Sequence, residues 1–366
     1  MIKLVPATIV APSGRNLSPR NRGAGNDKSL SKNRANKKLK FCVKIRAMQL
    51  QKFYETAIAT GRSADPRPQS EIDRQLAEEK KAYDKLDKKE REFFDTERLK
   101  NPYADTRILF GDPKAEIKKI AAGIDFEAAE ILLVHELNKS GAKIDLALSH
   151  HPEGIALAKL DSVMRLQEDL YAEAGVPVNV IEKLMDKETA RVLRSIHPVN
   201  HQKNIDVARA LKIPYACTHT VADNLAYRFV EKLMAKKKPR TLGEIIDVLL
   251  GEPEFAESAR RGVPPLAFVG SKSSKAGKIA VSGFTGGTSG SAEVYESLKH
   301  AGIGTEIAMH MRPDAQKEAE KHHINVLIAG HIASDSLGMN LLLDEMQKAG
   351  VKEIVALGGF TRFSRR

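Results

Sequence analysis

Residues 143–152 read KIDLALSHHP, and two later stretches follow the same plan: KIPYACTHTVAD at 212–223 and INVLIAGHIASD at 324–335. Each opens as a short aliphatic run, the pattern of a strand buried on both faces, and delivers a histidine where the run stops. The second and third then pass directly into a helical pattern. In open α/β sheets, ligands gather outside the carboxyl ends of strands, so side chains far apart in sequence can meet there.

Working outward, the same alternation covers the chain from about residue 105. Apolar runs at 120–124, 144–149, 215–218, 278–282, 304–309, 325–329 and 353–357 read as strands. Between them AAEILLVHELNKSG, DSVMRLQEDLYAEAG, DNLAYRFVEKLMAKK, SAEVYESLKHAG and DSLGMNLLLDEMQKAG read as helices, several closing on the glycine that commonly ends one. This repetition predicts a layered α/β fold. A polar, Gly- and Pro-bearing segment from 236 to 278 divides it into two lobes, about 101–240 and 265–366.

The remainder lies at the N-terminus. Residues 48–100 read as a helical segment. Its second part, beginning SEIDRQLAEEKKAYDKLDKKEREFF, is dense in charge with apolar residues every three or four positions, which predicts one long, exposed helix over 70–100. Residues 13–40 are rich in Ser, Asn, Gly, Lys and Arg and nearly free of aliphatic residues. Such a composition cannot offset its own ordering entropy, so 1–47 is expected to be a disordered basic extension. It reads either as an organelle-targeting extension or as an over-extended reading frame whose working start is Met48. The orderly pattern beginning at MQLQKFYETAIATG favours the second.

The formal charge of +12 is concentrated in this tail, where twelve Lys and Arg face one acid, Asp27. The rest of the 366 residues is close to neutral, so the charge predicts no specific nucleic-acid face. Two cysteines, Cys42 and Cys217, supply neither a disulfide framework nor a thiolate metal site and point to a reducing compartment, the cytoplasm. No run approaches the roughly 18 apolar residues of a membrane helix.

The candidate chemistry lies in His150, His151, Asp223, His331 and Asp335, with His219 beside them. In His-x3-Asp, spanning a helix's first turn, imidazole and carboxylate share one face and can reach one centre. Neutral imidazole plus carboxylate suits Zn, Mn, Fe, Co or Ni, and the lack of thiolates argues against finger-type structural zinc. Five such groups exceed the need of one catalytic ion, and two ions sharing a carboxylate use them better. Taken singly, an HH pair or an H-x3-D is uninformative. Three of them at strand ends are not.

Other histidines read more plainly. His197 and His201 of HPVNH lack a nearby carboxylate other than Asp206 and read as surface or supporting residues. His322 and His323 suit a helix C-terminal cap. His135 and His310 read as ordinary helix or strand-end residues, and Cys217 as a buried core thiol. The loop in KIAVSGFTGGTSGSAEVYESL, with Gly283, Gly286, Gly287 and Gly290, reads either as an anion cradle at a helix N-terminus or as a tight packing turn.

Together these residues resemble the Nif-three-like family, the dinuclear-metal proteins also known as GTP cyclohydrolase I type 2 homologues. LALSHHP is similar to the family's His-His-Pro motif, THTVAD to its His-x3-Asp motif, GFTGGTSG to its Gly-Gly-Ser-Gly turn and AGHIASD to its final Gly-His-x3-acid motif. The resemblance covers roughly 101–366. It implies metal ligation by His150, His151, Asp223, His331 and Asp335, with His219 beside the site, and a toroidal homohexamer whose sites face an interior cavity. Three departures mark a divergent subgroup. Asp335 stands where the family usually has Glu, EIAMHMRPD replaces a Thr-Gly-acidic stretch, and 153–213 is longer and more helical than in short members.

The function expected is that of a metal-dependent hydrolase, similar to GTP cyclohydrolase type 2, holding two divalent ions (Zn, Fe, Mn or Co) and acting on a nucleotide-like or phosphorylated small molecule. His219 is expected to carry a proton or orient substrate. The alternative is a non-enzymatic metal-binding assembly or regulatory interaction protein.

Overall fold

The computed structural model describes residues 48–366. The basic extension expected over 1–47, Cys42 included, lies outside the described residues. Two mixed sheets form the frame. The first contains β1 (Thr106–Phe110), β2 (Lys119–Gly123), β3 (Leu146–Ser149) and β4 (Tyr215–Thr218). The second contains β5 (Leu266–Val269), β6 (Lys278–Gly283), β7 (Ile303–Ala308) and β8 (Asn325–Ile328). The last strand, β9 (Glu353–Ala356), returns to the first sheet, whose order is β9-β2-β3-β4-β1; the second runs β5-β8-β7-β6. All neighbours are parallel except the edge pairs β1/β4 and β5/β8. A two-residue ladder, Met48–Gln49 against Glu116–Ile117, stands apart.

All seven strands expected from apolar runs are present. Two were not expected, β1 and β5, and both are antiparallel edges. β5 lies against only one neighbour and leaves Leu266 and Phe268 exposed, so its sequence lacks the long aliphatic run of a central strand.

The helices include α1 (Leu50–Ala64), α2 (Gln69–Lys85), α3 (Leu166–Ala174), α4 (Thr220–Lys237) and α5 (His331–Lys348). α1, α4 and α5 pack between the sheets, and the main core joins Phe53, Val221, Val230, Leu337, Leu343 and Ile120. Close approach of these helices demands glycine. A Cβ on Gly61 would lie 2.6 Å from the Val221 side chain, and one on Gly338 only 2.3 Å from the Ala222 carbonyl oxygen. α1 thus belongs to the core, whereas α2 buries only Ile72.

The single exposed helix expected over 70–100 is broken. α2 stops at Lys85, and Asp87 caps a new short helix, Lys88–Glu92, through a reciprocal capping box with Glu90. The chain then folds back, so that the Tyr83 and Phe94 rings lie 4.9 Å apart and Arg98 pairs with Glu79 at 2.7 Å. The segment from 236 to 278, expected as polar, holds two further helices, Leu242–Leu250 and Pro253–Arg260, which bury Ile245, Leu249 and Phe255. Among the described residues no helix is long and apolar enough to cross a membrane.

Candidate metal centre

The three motifs meet because parallel strands from the two sheets end at one place. After β3 the chain continues in register with the loop beyond β2: His150 N–H donates to Gly123 O (2.8 Å) and His151 N–H to Ile124 O (3.0 Å). After β4, His219 is the N-cap of α4 and Asp223 lies one turn inside it, its N–H bonded to His219 O at 3.1 Å. After β8, Gly330 turns the strand into α5 at φ 108°, a conformation that L side chains resist, and His331 and Asp335 then share a face one turn apart. The Gly338–Ala222 contact presses α5 onto α4 close to Asp223 and Asp335.

The resulting cluster is tight. His150 Nε2 lies 3.3 Å from Asp223 Oδ1 and 3.5 Å from Asp335 Oδ1. On the other side of the same carboxylate, Asp335 Oδ2 lies 3.4 Å from His151 Nε2 and 3.5 Å from His331 Nε2. His150, Asp223 and Asp335 are all buried. His150 Nε2, Asp223 Oδ1 and both Asp335 oxygens have no hydrogen-bond partner among the described residues.

These separations are informative. They are longer than the roughly 2.7–2.9 Å of a charge-assisted hydrogen bond. They match the spacing of about 3.4 Å between two ligands each about 2.0–2.1 Å from one tetrahedral ion. Two groups in the cluster, His150/Asp223/Asp335 and His151/His331/Asp335, could each hold a metal ion, as could His150/His151/His219.

Three of the rings are aimed by their other nitrogen. His150 Nδ1 lies 3.2 Å from Thr218 O, His151 Nδ1 is 2.7 Å from Asp125 Oδ1, and His219 Nδ1 is 2.8 Å from Asp105 Oδ2. Such partners fix ring orientation and leave Nε2 for a ligand or a proton. The charges are coupled. Burial opposes a charged His150, but Asp335 and Asp223 outweigh it and push its pKa well up. Burial likewise opposes ionisation of Asp335, and the neighbouring His150 and His151 nevertheless hold it far below the usual carboxylate range. On the more open side, burial pushes His331 down.

All six residues singled out in the sequence are brought together. Four functional neighbours were missed. Asp125 follows β2 directly, a strand-end position like those of the motifs, and that signal was readable. His310 also follows a strand, β7. Its ring packs 4.8 Å from that of His331 and its Nδ1 lies 2.8 Å from Ser289 Oγ, while burial, then His331, lowers its pKa to about 4. Glu306 is buried in the wall of the same cleft and accepts hydrogen bonds from Ser282 and Tyr295, each 2.5 Å long. Asp105 gave no signal, because the strand that positions it was itself unexpected.

The glycine loop lies along this cleft. Gly286 and Gly290 serve close packing on α3. Gln167 Nε2 donates to Gly286 O (2.7 Å) and Thr288 O (2.6 Å), and a Cβ on Gly286 or Gly290 would collide with the Gln167 side chain. The other expectations fall as follows. His197 is exposed and His201 half-buried, both apart from the cluster. His322 is the C-cap residue of the helix Pro313–Lys321. Cys217 is a buried thiol whose pKa burial raises to about 12.

No family model matches the chain, and no curated protein matches it by sequence. Solved structures do. The chain is similar to a NIF3 superfamily protein from Sphaerobacter thermophilus, at 27% identity and a TM-score of 0.61, over 71% of this chain and 93% of that one. It is more distantly similar to reduced HcgD from Methanocaldococcus jannaschii, at 15% identity and a TM-score of 0.43, over 68% of this chain and 87% of that one. The second likeness adds no weight to the first.

Proposed function

From its membership of the NIF3, or Nif-three-like, superfamily, we propose that this chain is a dinuclear-metal protein acting as a metal-dependent hydrolase on a nucleotide-like or otherwise phosphorylated small molecule. The observation that carries the reading is Asp335, a buried carboxylate whose two oxygens face two separate ligand sets and bond to neither. One set is His150 Nε2 and Asp223 Oδ1; the other is His151 Nε2 and His331 Nε2. Asp335 would be the ligand common to both sets, although the family's usual residue is one methylene longer.

Imidazole and carboxylate donors suit Zn, Fe, Mn or Co. Two such ions, when bound, supply Lewis-acid polarisation of a substrate oxygen and acidify a water. The chain's own residues do the rest. His151 and His331 are the less enclosed ligands, and His331 lines the cleft, so substrate enters from its side. His219, at the cleft wall with Nε2 facing inward, carries a proton between the reacting oxygen and solvent.

The functional assembly is a homohexamer. Supporting this, the edge strand β5 exposes Leu266 and Phe268, with Val263 and Ile332 also open to solvent. An edge strand with apolar side chains open to solvent is a surface on which another copy can pair.

The test joins metal analysis with turnover. Protein purified without added metal is analysed for bound elements, reloaded with Zn, Mn, Fe or Co, and offered phosphoesters, nucleotides and cyclic amidines. Two ions per chain and turnover of one substrate class support the reading. Metal-loaded protein that cleaves none of them retires the hydrolase and leaves a metal-binding assembly.

A further inference from the structure

We infer that Asp105 is a positioning residue that makes His219 a directed proton carrier: it fixes the ring in its Nδ1–H form and aims the Nε2 lone pair at the space beside Asp223 and His150. The inference rests on the hydrolytic reading above for its purpose, but its geometry stands apart from that reading.

The placement comes from strand register. β1 runs antiparallel to β4 with Thr106 opposite Thr218 and Arg107 opposite Cys217. Asp105 comes one residue before Thr106 and His219 one residue after Thr218, so the ladder sets the two directly across from each other. Asp105 Oδ2 accepts from His219 Nδ1 at 2.8 Å and from Thr220 Oγ at 2.6 Å. Its other oxygen, Oδ1, has no partner among the described residues, and the side chain is fully buried. An ionised carboxylate only accepts hydrogen bonds, so the neutral ring must carry its proton on Nδ1 and leave Nε2 bare. Nε2 lies 3.7 Å from Asp223 Oδ2, too far for a direct hydrogen bond.

Considerable structure holds this one aspartate. Asn101 Nδ2 reaches Tyr103 O (2.9 Å), Thr106 O (2.9 Å) and the Tyr54 hydroxyl (2.8 Å), bracing the turn that carries Asp105 against α1. Arg107 ties the next residues to Asp95 at 2.5 Å, and Cys217 Sγ donates to Asp105 O at 3.4 Å. A buried carboxylate with one oxygen idle is costly to keep unless its charge serves another group. Here that group is the His219 ring. The N-terminal helical segment, through Tyr54 and Asp95, thereby supports the site.

The experiment reads the tautomer directly. Ring-nitrogen resonances of His219 are recorded on the zinc-loaded full chain labelled with nitrogen-15, for wild type and Asp105→Asn. The expected wild-type result is a protonated Nδ1 and a bare, zinc-free Nε2. Asp105→Asn is expected to mix or invert that tautomer with zinc content unchanged, and to lower kcat by about a hundredfold with KM within about threefold on whichever phosphoester wild type cleaves. A wild-type ring protonated on Nε2, an Nε2 bonded to zinc, or an Asp105→Asn ring still wholly in the Nδ1–H form would each overturn the assignment. The wild-type spectrum decides even where Asp105→Asn fails to fold. If the tautomer behaves as expected and no substrate is cleaved, the hydrolase reading fails and the geometry of Asp105 stands.

Discussion

Asp335 sits at the centre of the cluster with an oxygen turned to each side, so removing it should do more damage than removing any ligand at the edge. Asp335→Asn keeps the shape but loses the charge that, on the proposed reading, would draw two cations together. Elemental analysis should find it nearly metal-free, whereas His331→Ala, which strips one donor from one set, should lose about one ion of the two. Equal metal content in the two variants would contradict a shared carboxylate. His219 and Asp223 separate in the same way. His219→Asn is expected to keep most of the metal while any hydrolytic rate falls by about a hundredfold or more, because a proton carrier acts on the rate and not on ion retention. Asp223→Asn should lose metal and rate together. Equal metal loss in both would make His219 a ligand.

Helices α4 and α5 hold the two aspartates close only because Gly338 lets them touch. With a Cβ that would fall 2.3 Å from the Ala222 carbonyl oxygen, Gly338→Ala must push the helices apart. Overpacking of this kind costs about 1–3 kcal/mol, and the same shift should widen the gap between Asp223 and Asp335. The variant is expected to melt earlier in calorimetry and also to bind metal more weakly than wild type; normal affinity in a destabilised protein would uncouple the packing from the site. What the sequence made legible follows the same lines. Long aliphatic runs announced the central strands, and the residues just beyond them announced His150, His151, Asp223, His331 and Asp335, since a strand buried on both faces has little freedom in pattern. The antiparallel edges were harder. β1 has a single neighbour and a short, mixed sequence, so neither it nor Asp105 was read. The break after Lys85 was hidden because Asp87 and Glu90, a capping box, are two more charges in a stretch already full of them.

At the scale of the whole chain, the described fold begins where the pattern of charges changes. Met48 is buried and paired with Ile117, and Leu50 N–H bonds to Ala115 O at 2.9 Å, so a chain starting at Met48 keeps every described contact. It also sheds twelve basic residues and a single acid, leaving a nearly neutral protein. Two outcomes separate the roles of tail and body. Retention on a polyanionic column should be strong and salt-dependent for the full chain and almost absent for the shortened one, because neutralising polyanion charge is an ionic effect carried by clustered Lys and Arg. Metal content and assembly should not change: multi-angle light scattering should give the mass of six chains for both, as expected if the apolar residues around β5 are covered by neighbouring copies. A stable monomer with a full complement of metal would remove the hexamer while leaving the centre intact. A shortened chain that loses its metal would instead mean that the tail contributes to the site.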